Sequence, residues 1–188
     1  MKKILILLLI VLYFFVIKNF GKIYRADLYY KSSQKQLSLG KGEMALKYAQ
    51  IAMKLNPNEP RYHLGEAKIF LTAQNYNQKY SALKGLEKAR NLNPKNLVTI
   101  RNSVPLYYLI AVNDIYTKSG KENLDIQYFD TVKKFFVDTK KKYPNDVGVY
   151  VLIAGYEKKL GFDAEYKNSI KVIRKLRPDL LQWYEGIN

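Results

Sequence analysis

Four times along this chain a proline follows a short phrase that would end a helix. The phrases are Lys54-Leu55-Asn56-Pro57, Asn91-Leu92-Asn93-Pro94, Lys142-Tyr143-Pro144 and Leu176-Arg177-Pro178. Proline has no amide to donate and biases its predecessor away from the α region, so each phrase is a stop. The prolines are 37, 50 and 34 residues apart, room each time for two helices and a turn. Between stops, apolar residues recur at spacings of three and four, as in Ala45, Ala49, Ala52 and Leu55, or Leu83, Leu86, Ala89 and Leu92. That period predicts amphipathic helices, and strand signals are few. The expected fold class is all-α, a succession of about four helical hairpins from Tyr24 onward.

In front of the hairpins stands Met1-Lys2-Lys3 and then an unbroken apolar run, Ile4 to Ile17. Its 14 residues make a helix of about 21 Å, short of a hydrocarbon core of about 30 Å. Continuing through Phe20 and Ile23 supplies the missing length, with Lys18 and Lys22 able to snorkel toward head groups. Tyr13, Phe14, Phe15 and Phe20 suit the interfacial zone. A cleaved signal peptide would share the two lysines and the apolar core. However, Lys18-Asn19-Phe20-Gly21-Lys22 offers no small-x-small cleavage pair. An uncleaved signal anchor over residues 1–23 is favoured, followed by a helical domain over residues 24–188. A buried core helix is the weakest option, because the run is apolar on every face. The cations flanking the run are nearly balanced, so orientation rests on the anchor's position at the start of the chain. An N-terminus inside and the helical domain on the extracytoplasmic side are expected.

The formal charge is +16, with 26 Lys and 6 Arg against 16 acidic residues. Such a field favours anionic partners, either lipid head groups or glycans. Nucleic acid is disfavoured as a partner, because bidentate base contacts favour Arg over Lys. Hydrophobic content of 48% argues against a disordered tail. The absence of cysteine removes disulfides, thiolate metal sites and a cysteine nucleophile.

The hairpins resemble the tetratricopeptide repeat family, a 34-residue helix-turn-helix unit. In the first unit Tyr29 matches the family's first large position, Gly40 the turn, Ala45 and Ala52 the small pair, and Pro57 the close. The second unit opens with Tyr62-His63-Leu64-Gly65-Glu66-Ala67 and closes with Ala82, Leu86, Ala89 and Pro94, with a turn lengthened around Thr72 to Lys79. The third is divergent, with Pro105 kinking its first helix or marking its N-terminal turn, Val132 and Thr139 at the small positions, and a loop near Ser119-Gly120-Lys121. The fourth keeps Tyr150, Gly161 and Pro178 but carries Tyr166 and Ile173 at the small positions. Its tail, Leu180-Leu181-Gln182-Trp183-Tyr184, looks like the start of a capping helix. The resemblance covers residues 24 to 184. It implies a right-handed superhelical solenoid of about four hairpins, preceded here by one transmembrane helix.

No catalytic constellation is visible. His63 is the one histidine, and a metal site needs several convergent donors. Gly40-Lys41-Gly42 lacks the Ser/Thr of a phosphate loop. No enzyme activity, metal or cofactor is expected. The run Lys140-Lys141-Lys142 is read as a solvated helix C-terminus complementing the helix dipole. Tyr29, Tyr48, Tyr107 and Tyr150 are expected to be buried.

The resemblance implies a protein or peptide partner in a concave groove lined by the first helix of each hairpin. By register, the groove residues are Tyr30, Gln34 and Leu37, then Tyr62, Glu66 and Phe70, then Arg101 and Tyr108, then Val151 and Lys158. Tyr30 and Gln34 stand where a carboxylate clamp would carry Lys and Asn, which disfavours that subclass. The expected function is a membrane-anchored interaction scaffold at a bacterial envelope. A second reading rests on a loose similarity of Asn96-Leu97-Val98-Thr99-Ile100 and Pro105-Leu106-Tyr107-Tyr108 to solenoid domains of O-antigen polymerase or ligase type. It implies an accessory role in surface polysaccharide assembly, binding glycan or a membrane glycosyltransferase.

Overall fold

The computed structural model describes residues 2–73, 78–114 and 123–180. Among them are eight helices and no strand. The chain divides into two compact units, residues 1–94 and 95–188.

The first unit holds α1 (Lys2–Ser38), α2 (Gly42–Leu55), α3 (Pro60–Thr72) and α4 (Lys79–Leu92). α1 pairs with α2 and α3 with α4, and α3 also packs on α2 and α1. α1 runs 37 residues without a break, about 55 Å, straight through the boundary expected at Tyr24. Its apolar first half is uncovered: no part of the membrane-compatible window is buried. From Ala26 onward one face enters the hairpin. Ala26 and Ser33 are fully buried, and Ser33 Oγ donates to the Ala45 carbonyl at 2.7 Å. α1 is therefore both the helix long and apolar enough to cross a membrane and the first helix of a hairpin.

Small residues set the packing distance. Ala45, Ala49 and Ala52 on α2 are fully buried, as are Ala82, Leu86 and Ala89 on α4. A methyl added at Gly85 would stand 3.2 Å from the His63 carbonyl and 3.5 Å from Ala67 Cβ, so Gly85 permits the close approach of α4 to α3.

The second unit holds α5 (Leu97–Ala111), α6 (Ile126–Lys142), α7 (Val147–Lys159) and α8 (Asp163–Leu176). α5 pairs with α6 and α7 with α8, while α7 also packs on α5 and α6. Stacked Tyr107 and Phe135 rings, 3.8 Å apart, and buried Phe136 and Phe162 fill its centre. A short antiparallel bridge between Val112 and Leu124 closes the base of the α5–α6 connection. Backbone bonds from Asn113 to Asn123 and from Asp125 to Ala111, each 2.8 Å, tie it. The loop expected near Ser119 lies outside the described residues, as do the lengthened turn at residues 74–77 and the tail beyond Leu180.

All four proline phrases end helices as predicted. Asn56, Asn93, Tyr143 and Arg177 each leave the α region, with φ between −126° and −152°, as a residue before proline should. Two residues after three of these prolines stands the next N-cap. Glu59, Asn96 and Asp146 accept from amides of the helix each begins, satisfying donors that have no intrahelical partner. Gly40 and Gly161 adopt φ of +73° and +69°. At Gly40 the amide of Lys41 reaches the Gln36 carbonyl and that of Gly40 reaches Leu37. At Gly161 the amide of Phe162 reaches Glu157 and that of Gly161 reaches Lys158. Both are Schellman closures, which need a left-handed residue.

Pro105 lies inside its helix as expected, well within α5 and past its N-terminal turn, where it deprives the Arg101 carbonyl of its helical donor. One expectation is corrected here. Lys140 is not solvated but buried. Tyr107 is buried as expected, whereas Tyr29, Tyr48 and Tyr150 are only half-buried.

Candidate functional site

In the first unit, Tyr30, Gln34 and Tyr62 meet at the seam between α1 and α3. Tyr30 and Tyr62 tilt against each other with ring centroids 5.0 Å apart. Tyr62 is fully buried and donates to Asp27 Oδ1 at 2.7 Å. Burial first, and that bond second, push its phenol well above the usual range. Arg61 closes the cluster, 3.2 Å from Asp27 and 2.8 Å from Glu59. Gly65 lets the seam form, since a methyl there would stand 2.5 Å from Tyr30 Cε2 and 3.1 Å from Gln34 Nε2. Tyr62 therefore walls the seam and does not line an open groove. Leu37 is half-buried and packs against the Ala45, Ala49 and Ile69 cluster.

Glu66 and Phe70 are half-buried on α3. Burial raises the Glu66 carboxyl above the usual carboxylate range, and a hydrogen bond from Gln50 partly offsets it. His63 Nε2 lies 2.9 Å from the Pro57 carbonyl. A carbonyl only accepts, so this nitrogen carries the proton and pins the turn between hairpins.

In the second unit, Arg101 on α5 reaches Asp146 Oδ1 at 2.6 Å, the same carboxylate oxygen that caps α7 through Val149 N at 3.0 Å. A methyl at Gly148 would meet Arg101 Nη2 at 2.6 Å. Arg101 thus links α5 to the start of α7. Tyr108 pairs with Tyr156, centroids 5.0 Å apart, and Lys159 Nζ sits 5.8 Å and 5.3 Å from the two rings. Both rings are half-buried, which leaves a partly open aromatic and cationic surface on α5 and α7. Val151 is half-buried and packs against the Ala154 and Ile173 cluster. Lys158 is exposed.

Sequence reasoning missed Tyr156 and Lys159, which join Tyr108 only through the pairing of α5 with α7. It also missed a buried polar network. Lys140 Nζ contacts Glu157 Oε1 at 2.5 Å and Ser169 Oγ at 2.9 Å, and Ser169 donates to Glu157 Oε2 at 2.7 Å. Glu157 and Ser169 are fully buried. One signal existed: Lys140 follows Val132, Phe136 and Thr139 on the inward face of α6. Among the described residues, no group of three or more His, Cys, Asp or Glu could hold a metal ion.

The structure thus brings together Tyr30, Gln34 and Gly65 in one unit, and Tyr108, Tyr156 and Lys159 in the other. No protein-family model matches this chain, and no curated protein matches it either.

Proposed function

We propose that this chain is a single-pass, membrane-tethered interaction module. Its tetratricopeptide-type hairpins hold a protein or peptide partner on the extracytoplasmic side of a bacterial membrane. The observation that carries the reading is the continuity of α1. Its apolar half has no protein to cover it, while its other half is built into a hairpin through Ala26 and Ser33. An apolar surface of that size is normally covered by a bilayer or a partner. Because one helix does both jobs, the hairpin is held close to the bilayer without a flexible linker.

The partner surface is the Tyr108, Tyr156 and Lys159 group. Half-exposed tyrosines with a nearby cation supply anchoring area at low entropic cost. A photo-crosslinking residue at Tyr108 or Tyr156 should trap one protein species in native membranes. The same residue at Tyr80, an exposed position on α4, should not. Equal or absent crosslinking at all three positions would defeat the partner reading. The same tyrosine pair also suits stacking on sugar rings, which favours as a second reading an accessory role in surface polysaccharide assembly. Competition of the crosslink by cell-surface oligosaccharide would select that reading.

A further inference from the structure

α6 and α8 both pack on α7 but make no backbone approach to each other. Between them lies an open cleft of about 860 Å³, lined in part by Val137, Lys141, Tyr150, Lys167, Lys171 and Val172. This is the size of a small-molecule cleft, about 300–1,000 Å³. Its charge is one-sided. Lys141, Lys167 and Lys171 are exposed, and among the described residues none of the three has a carboxylate at ion-pair distance. Glu165 also lines the cleft, but its carboxylate is taken by Lys133 at 2.8 Å. Lys140 contributes its stem, while its ammonium turns inward to Glu157 and Ser169. Among the described residues, three exposed lysines without an ion-pair partner therefore line one cleft together with the apolar Val137 and Val172. Lys167 and Lys171 are one helical turn apart and repel each other.

We propose that this cleft binds a phosphate-bearing ligand. Lys141, Lys167 and Lys171 would take the phosphate, and Val137, Tyr150 and Val172 would take the adjoining apolar part. A compact group with two or more charges can be shared by three ammonium point charges, whereas a planar carboxylate favours the bidentate fork of arginine. The site lies on α6 and α8, on different helices from the tyrosine pair, and does not depend on the partner reading.

The test is lysine acetylation footprinting of the full chain by mass spectrometry. One arm uses nanodiscs of zwitterionic lipid with inorganic pyrophosphate added. The other uses nanodiscs containing phosphatidic acid and no pyrophosphate. Protection of Lys141, Lys167 and Lys171 is expected, with Lys84 and Lys88 on α4 unprotected. Protection in the first arm identifies a soluble phosphate compound, and protection in the second alone identifies a lipid head group. Lys167→Gln with Lys171→Gln should weaken protection of Lys141 about thirtyfold, as expected for losing two nearby cations. Lys84→Gln with Lys88→Gln should leave it unchanged. No protection in either arm, equal protection of Lys84 and Lys88, or equal weakening by the control pair would overturn the proposal.

Discussion

Replacing Glu157 by Ala should be among the most damaging single changes in the second unit. The carboxylate is fully buried, and the side chain of its partner Lys140 is 10% exposed. Removing it strands an ammonium whose remaining partner is Ser169, 2.9 Å away. Breaking a buried pair from one side costs about 3–5 kcal/mol, because the leftover charge stays desolvated. Ser169→Ala should cost about 1–3 kcal/mol, since it leaves both ions one partner short. Removing the whole network should behave differently. Lys140→Met with Glu157→Leu and Ser169→Ala leaves no buried charge or hydroxyl, and such replacements are often neutral or stabilising. Hydrogen exchange of the full chain in detergent can read all three. Amides of α7 should lose roughly two to four orders of magnitude of protection in Glu157→Ala and regain it in the triple variant. The loss should barely respond to salt, because buried pairs are poorly screened. A Glu157→Ala chain that exchanges like wild type, or a triple variant worse than the single one, would refute this reasoning.

Three further predictions follow from local geometry. Gly40→Ala should destabilise by about 1–2 kcal/mol in chemical denaturation, the cost of a left-handed alanine; Gly21→Ala, where nothing lies within 4 Å, should not destabilise. Gly65→Ala should cost about 1–3 kcal/mol by overpacking against Tyr30, and Tyr30→Leu should recover part of that loss. The Glu66 carboxyl is raised in the folded state by burial. The fold therefore favours its protonated form, and stability is lost as pH rises through the folded value. Glu66→Gln should stabilise at neutral pH, with the gain gone below the unfolded carboxylate range. A stability difference independent of pH would contradict the burial argument.

The proline stops, the glycines of the repeat pattern, Gly40 and Gly161, and the small residues of α2 and α4 were legible in the sequence because each acts locally. Proline and glycine constrain their own backbone wherever they stand, and small residues mark a face by their period alone. The rest was not local. Tyr62 reads as a groove tyrosine until Gly65 is seen to bring α3 against Tyr30 and Gln34. Leu37 and Val151 share the register of groove residues, and each also packs, half-buried, against a core cluster that register alone does not reveal. Lys140 sits in a basic run that a solvated surface explains, and only Glu157 and Ser169, from two other helices, make its burial tolerable. The division at Tyr24 fell where hydrophobic composition changes, but composition does not end a helix. Nothing between Ile17 and Ser38 breaks one, so α1 continues.

The most direct test of the central claim uses the chain's lack of cysteine. Single cysteines at Leu9 and Leu39 would be treated with a membrane-impermeant maleimide in intact cells, then again after detergent. Both positions are exposed in the protein, at 57% each, so any difference in labelling comes from the bilayer. The account predicts that Leu39→Cys labels from outside in intact cells, while Leu9→Cys labels only after detergent. Equal labelling of both before detergent would show that the apolar half of α1 does not lie in a membrane, and the tethered-module reading would fall.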